Sequence, residues 1–386
     1  MKILAVHNFY KIPGGEDTVF NNECSLLESH GHKVIKYIRR NSEMDRSGPA
    51  GKLALPFTMV FSIRTYREIR HIIRKERPDI VHVHNSLHLI SPAVYYAAAA
   101  EGVPVVQTLH NFRLQCPAGI FYRDGHICRD CVKGGFRCAL AHSCYRGSFM
   151  QTLAMSLMLT IHRATGIYKK INYISLTEFN KELLLKSDIV RPGRVYIKPN
   201  FTPFRPAAGS GDEGYYLAVG RLEHIKGTAL MVRAFAKSGR RLVLAGSGEY
   251  LEKLERTIVK HKLKNIELCG QVDPDTVARL MCGAKALLAM PQWYETFGMT
   301  VIEAFSMHLP VICNDIGNIK DLVSDGRTGL ICKNTAESLN SAVERFETMD
   351  RQRMGDRAYS EYMKKYSPAV NYERLMEIYM DVLKHR

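Results

Sequence analysis

The chain alternates short apolar runs with longer amphipathic ones, and it does so twice. In the first half KILAV (2–6), KVIKYI (33–38), DIVHVH (79–84), VPVVQTLH (103–110), NYIS (172–175) and RVYIKP (194–199) read as strands. Helical periodicity lies between most of them, over roughly 17–30, 64–76, 90–101, 148–169 and 178–186. Strands joined through helices pair in parallel, with right-handed crossovers. The unbroken apolar character of DIVHVH and VPVVQTL suits strands covered on both faces. The stretch KPNFTPFRPAAGSGDEG (198–214) has no period and crowds Pro and Gly at its centre, so it reads as a linker. The alternation then restarts with YYLAVG (215–220), RLVLAG (241–246), NIELCG (265–270), AKALLAM (284–290) and LPVICN (309–314) as strands. Helices are expected near 226–238, 249–262, 275–282, 299–308 and 336–349, followed by a tail, 351–385, that is helical throughout. The expected fold class is α/β, with two Rossmann-like domains whose parallel sheets face each other across a cleft. The first domain spans 1–200, with an insertion at 114–148, and a linker covers 201–213. The second domain spans 214–365, and a closing helix, 366–386, is able to cross back to the first. In such sheets the ligand crevice lies beyond the carboxyl ends of the strands.

Charge narrows the partners. The net charge is +16, and it is uneven. Residues 1–203 hold 28 Lys and Arg against 15 Asp and Glu, whereas residues 204–386 hold 26 against 23. A cationic half suits an acidic partner, nucleic acid or an anionic membrane surface; the plain alternative is a solvated basic face. No helix-turn-helix, RRM or OB signature accompanies the charge, so nucleic acid is not expected. The longest apolar runs, LALPFTMVFSI (53–63) and LAMSLMLTI (153–161), fall short of the ~18 residues that span a bilayer. MKILAVHNFY lacks the pattern of a signal peptide. The expectation is a cytoplasmic protein, peripheral on the inner face of the cell membrane, with its ten cysteines reduced.

The stretch PQWYETFGMTVIEAF (291–305) carries Glu295 just before an expected helix and Glu303 about one turn inside it. The first amides of a helix are unpaired and partly positive, so its entrance suits phosphate. A carboxylate can accept hydrogen bonds from two vicinal hydroxyls. One Glu for each sugar, with amides for the phosphates, describes a nucleotide diphosphate sugar. AVGRLEHIKG (218–227) adds Arg221 and Lys226 after a strand, two cations that can neutralise a diphosphate without metal. LAGSGEY (244–250) adds a strand-to-helix turn in which Gly246 lets a ligand approach the backbone.

Taken in this order, Gly220-Arg221, Lys226-Gly227, LAGSGE and ETFGMTVIEA resemble the retaining GT-B glycosyltransferases of family 4, and the resemblance extends over nearly the whole chain. It implies that Glu295 contacts the transferred sugar, Glu303 the ribose, and Arg221 and Lys226 the diphosphate of a UDP- or GDP-sugar. Backbone at Phe297, Gly298 and Met299, with Thr300 nearby, would meet phosphate and sugar. In the first half it implies that Gly14 and Gly15 of FYKIPGGEDTVF (9–20) close on the diphosphate. It places His110 at the edge of the sugar site, beside Asn111. His110, Glu295, Arg221 and Lys226 are then the catalytic set. The front-face mechanism proposed for such enzymes lets the leaving phosphate take the acceptor's proton, so His110 is not the base.

VHVHNSLHLISP (81–92) places His82 and His84 on one strand face like a metal pair, but without a matching acid nearby. Packing is the favoured reading there, with Asn85 and His88 touching the acceptor. Cys116, Cys128, Cys131, Cys138 and Cys144 crowd the insertion, and Cys128–Cys131 has the C-x2-C spacing of a zinc knuckle. Cys116, Cys128, Cys131 and Cys144 form the candidate structural zinc site, with Cys138 spare or replacing Cys144. The alternative is unliganded thiols, and no catalytic cofactor is expected. The segment 53–79 joins an apolar stretch to Arg64, Arg67, Arg70, Arg74 and Lys75, either a docking element for anionic lipid or a buried helix with an exposed basic face. The leading function is sugar transfer to a lipid-linked or glycan acceptor in polysaccharide or lipopolysaccharide assembly. The competing functions are a GT-B phosphorylase, a nucleotide-sugar epimerase, and a zinc-bearing nucleic-acid-binding protein.

Overall fold

A computed structural model describes residues 1–11, 14–45, 48–133, 135–203 and 212–385. Pro13 of the first loop and the centre of the expected linker, 204–211, lie outside the described residues. The chain divides into two compact units. The first holds 1–123, 128–200 and the stretch from Asn371 onward; the second holds 124–127 and 201–370.

The first unit is built on six parallel strands: β1 (Lys2–Phe9), β2 (Lys33–Arg40), β3 (Ile80–Asn85), β4 (Val105–Thr108), β5 (Asn172–Ser175) and β6 (Val195–Ile197). They lie in the order β2-β1-β3-β4-β5-β6. The order reverses between β1 and β3, so the loops after these two strands flank the gap where such sheets bind ligands. All six residues of β3 are buried, as a strand covered on both faces requires. Leu4, Val6, Val81 and Val83 pack beneath one set of helices. Ile3, Ile80, Val106 and Ile174 face the other way, onto Leu375, Ile378 and Tyr379 of the closing helix Pro368–Lys384. Each such side chain contributes about 1.5–3 kcal/mol on burial.

The second unit repeats the plan with β7 (Tyr215–Val219), β8 (Arg241–Ala245), β9 (Ile266–Gly270), β10 (Ala284–Ala289), β11 (Val311–Asn314) and β12 (Gly329–Cys332). Their order, β9-β8-β7-β10-β11-β12, is that of a Rossmann sheet, and it reverses between β7 and β10. Leu242, Leu244, Ile312 and Leu330 pack against Phe235 and Phe346.

Several elements differ from the sequence-based expectation, three of them most informatively. β12, four residues long, is an additional strand. The tail is two helices, Arg351–Lys365 and Pro368–Lys384, because Pro368 cannot donate an amide to a continuing helix and instead starts a new one. The apolar stretch near 53–63 belongs to a helix of its own, Pro49–Val60, separate from the basic helix Ile63–Glu76.

Candidate functional site

In the second unit the loops after β7 and β10 are stitched together by backbone. The amide of Gln292 donates to the carbonyl of Ile225 at 2.8 Å. Gly227 has φ +74°, and a Cβ there would sit 2.0 Å from the carbonyl oxygen of Met290, so only glycine permits this approach. Gly246, on the neighbouring strand's loop, allows a similar contact: at φ +142°, its Cβ would lie 1.8 Å from the carbonyl oxygen of Gly220. The Gly-rich turn of the sequence thus holds the Arg221 loop against β8.

This stitching brings Lys226 to Glu295. Lys226 Nζ pairs with Glu295 Oε1 and lies 5.4 Å from the centre of the Trp293 ring. Trp293 Nε1 donates to the same carboxylate oxygen at 2.9 Å. Arg221 is exposed and donates to Glu223 at 2.6 Å. Both cations therefore rest on carboxylates of their own unit, on surfaces where partners can be exchanged.

The helix Met299–Ser306 starts at Gly298, whose φ of +121° turns the chain into it. A Cβ on Gly298 would come within 2.7 Å of Ile319 Cδ1. Asn318 donates to the carbonyl of Phe297 at 2.5 Å, and Phe297 itself is buried. Met299 and Thr300 supply the first helical amides, which have no partner inside the helix. Glu303 lies one turn on. Its carboxylate has no hydrogen-bond or ion-pair partner among the described residues, and burial pushes its pKa up to about 7. Arg221, Lys226, Glu295, Glu303 and the helix entrance thus all belong to the loops and helix on the carboxyl-end side of β7 and β10.

In the first unit His110 follows β4. Its Nε2 lies 3.1 Å from His84 Nδ1, with the two rings stacked. Burial, reinforced by His84 and His7, holds the pKa of His110 well below its ordinary value, so the ring is neutral. His84 Nε2 and His82 Nδ1 lie 3.2 and 3.1 Å from Glu23 Oε1. The acid that sequence reasoning did not find beside this histidine pair is Glu23, brought in by the helix Gly15–Ser29. Its other oxygen takes Lys198 Nζ at 2.8 Å. Burial alone would raise the pKa of Glu23, yet Lys198 and then the two histidines hold it well below the carboxylate range. A fully buried lysine on the same carboxylate disfavours a metal there, and packing is the reading this geometry supports.

His110, Asn111, Asn85 and Arg113 line one cavity with Met158 and Leu159. Asn85 is buried, and its amide is used within the fold: it donates to the Asn8 carbonyl at 2.9 Å and accepts from the Leu87 amide at 3.0 Å. His88 is braced between Asn41 and the Tyr145 hydroxyl. Asn111 accepts from the amide of Arg113 at 3.1 Å. Gly14 caps the helix Gly15–Ser29, and its amide is held by Asp17, which also binds His7 at 2.7 Å; Gly15 is its first residue, with open space where a side chain would be. Sequence reasoning reads Glu16 as an acid that opens the helix and gives it no role at the site. One of its oxygens is buried without a partner, and burial pushes its pKa up to about 7 despite the nearby Tyr10 and Arg113. No local pattern announces such a group.

Cys116, Cys128, Cys131 and Cys144 line one small cavity with Phe121 and Ala139. Cys138 is held apart: Arg123 Nη1 lies 2.7 Å from its sulfur, which in turn donates to Asp130. Burial pushes the Cys131 thiol up to about 12.

Comparison with known proteins agrees with this layout. Residues 201–361 match the family described as Glycosyl transferases group 1, and residues 13–131 match Glycosyltransferase Family 4. An uncharacterized glycosyltransferase of Methanocaldococcus jannaschii is 25% identical over 319 residues, which are 80% of this chain and 76% of the relative. A glycosyltransferase from Rickettsia africae superposes over 100% of this chain and 99% of its own, with TM-score 0.73 and 17% identity. The Anabaena protein HepE, solved with UDP-glucose, superposes over 98% and 99% of the two chains, with TM-score 0.65 and 15% identity.

Proposed function

The chain belongs to the group 1, family 4-type glycosyltransferases of GT-B fold, and from that premise we propose that it is a retaining enzyme using a nucleotide diphosphate sugar, with UDP or GDP as the base-bearing half. The observation that carries this reading is the cluster at the strand-order reversal of the second sheet. There Lys226 pairs with Glu295, Arg221 with Glu223, and the same loops carry a helix entrance and the unpartnered carboxylate of Glu303. Donor binding would draw the two cations onto the diphosphate, freeing Glu295 for hydroxyls of the transferred sugar. Glu303 would accept the ribose hydroxyls. The sugar–phosphate bond then breaks with its charge held by Lys226, Arg221 and the first helical amides, a role that needs no metal. The acceptor oxygen bonds to the anomeric carbon on the same face, and its proton passes to the departing phosphate. We assign the neutral ring of His110 to a sugar hydroxyl. Asn111 and the cavity it lines are the candidate acceptor contacts.

The acceptor in this reading is a lipid-linked glycan in cell-surface polysaccharide assembly, which would bring the enzyme to the membrane surface. A thermal shift on adding UDP or GDP, followed by turnover of the matching nucleotide sugar and retention of anomeric configuration in the product by NMR, is the expected outcome. Stabilisation by an oligonucleotide but by neither nucleotide would overturn it in favour of nucleic-acid binding.

The four thiols around one cavity also support a structural zinc in the insertion, held by Cys116, Cys128, Cys131 and Cys144. Zinc binding would take these thiols to thiolates and so offset the upward shift that burial imposes on Cys128, Cys131 and Cys144. Native mass spectrometry should find one zinc per chain in the wild type and none in Cys131→Ser. Equal metal content in the two would rule the site out.

A further inference from the structure

The helix Phe149–Ala164 carries no charged residue from Phe149 to Ile161. A helix apolar on all sides is normally enclosed, in a core or in lipid. This one is enclosed on one side only. Met155, Met158 and Leu159 pack into a cluster with Met59 and the cysteine-rich insertion. Met150, Leu157 and Ile161, spaced seven and four residues apart, are exposed on the other side. Met59 draws in the neighbouring helix Pro49–Val60, and His162 Nε2 lies 2.8 Å from the carbonyl of Val60. That second helix exposes Phe57, at 76%, and the chain beyond it exposes Ile63. With Phe149, six of the nine large exposed apolar side chains among the described residues lie on these two adjoining segments.

The charge around them is mostly of one sign, although Glu68 borders the stretch and pairs with Arg64. Residues 48–67 and 131–177 contain nine Lys or Arg and no Asp or Glu. Arg67 is exposed and has no ion-pair partner among the described residues. Among the described residues no helix is long and apolar enough to cross a membrane. An apolar face edged mainly by cations, on helices that do not span, fits an anionic bilayer surface better than it fits a second copy of the same cationic face.

We infer that Phe57, Ile63, Phe149, Met150, Leu157 and Ile161 form a docking face that inserts into the headgroup boundary of an anionic leaflet, with the surrounding Lys and Arg on its phosphates. The face goes beyond the reading of the transfer site and shares no residue with it. The test is co-sedimentation of the full chain with phosphatidylglycerol vesicles and with phosphatidylcholine vesicles. The wild type should bind the first and leave the second largely unbound. Leu157→Glu and Met150→Glu lie on exposed positions, so their melting temperatures should stay near wild type while vesicle affinity falls about tenfold or more for each. Binding to phosphatidylglycerol should also weaken with added salt. A wild type that stays in the supernatant, or a variant that sediments as well as wild type, would overturn the assignment. So would a dimer in sedimentation equilibrium that Leu157→Glu dissociates, since the face would then belong to a second copy. UDP-induced stabilisation measured without vesicles should be the same in wild type and variants, which separates a failure here from a failure of the donor site.

Discussion

Both units present charged side chains near the carboxyl ends of a parallel sheet, but they hold them in opposite ways. In the second unit Arg221, Lys226 and Glu295 are partly exposed and pair with one another or with a neighbouring acid. In the first unit Glu23, Lys198, His82 and His84 are fully enclosed, and each is fixed by partners from distant elements. An exposed pair costs little to open, so its cations can move to an arriving diphosphate. An enclosed pair cannot be opened without leaving a bare charge in the core. The exposed arrangement therefore suits the ligand role proposed for it, and the enclosed one holds the shape of the sheet that carries His110.

Three experiments sharpen or break this contrast. The largest effect is expected from Glu23→Ala, which strands Lys198 and should lower the unfolding free energy in urea by about 3–5 kcal/mol. A loss under about 1 kcal/mol, the scale of an exposed pair, would place Glu23 with the exchangeable group. Lys226→Ala and Glu295→Ala should leave the unfolding free energy within about 1 kcal/mol of wild type. Each should nonetheless cut kcat for sugar transfer by roughly 100-fold or more, the scale of one lost charge-stabilising contact. Unchanged turnover in both would defeat the assignment of the donor site.

The third effect is smaller and depends on pH. Burial raises Glu303 to about 7, above its value in the unfolded chain. The protonated form thus favours the fold: this contribution is present at low pH and is lost as pH rises through 7. Glu303→Gln should therefore stabilise the protein at about pH 8 and change little at about pH 4. If the carboxylate receives ribose hydroxyls, wild-type affinity for UDP or GDP should fall below about pH 7, by up to about tenfold per unit. The variant should bind more weakly with a flat profile, and isothermal titration at several pH values reads both.

What was legible in the sequence was local. Alternation of periods announced two parallel sheets, and the short-range pattern from Arg221 to Lys226 and from Glu295 to Glu303 announced the loops and helix start that lie together after β7 and β10. The four cysteines chosen by spacing are the four that line one cavity, while Cys138 stands aside with Arg123. What stayed hidden depends on long-range packing. Glu23 and Lys198 are 175 residues apart, and nothing near either one names the other. Asn85 and His88 carry the right chemistry for a ligand, but their hydrogen bonds are taken up by Asn8, Leu87, Asn41 and Tyr145, which only the folded loop makes visible. Glu16 follows two glycines like any helix-capping acid, and only burial sets it apart.

The closing helix has a consequence for synthesis. Lys198 reaches Asn371 at 3.0 Å, and His82 reaches the Tyr379 hydroxyl at 2.6 Å, so the first sheet is walled by residues that follow the whole second sheet in the chain. A ribosome finishes every strand of the second sheet before it supplies that wall. The sheet translated first therefore keeps an open flank beside its central ion pair until the other sheet has been made.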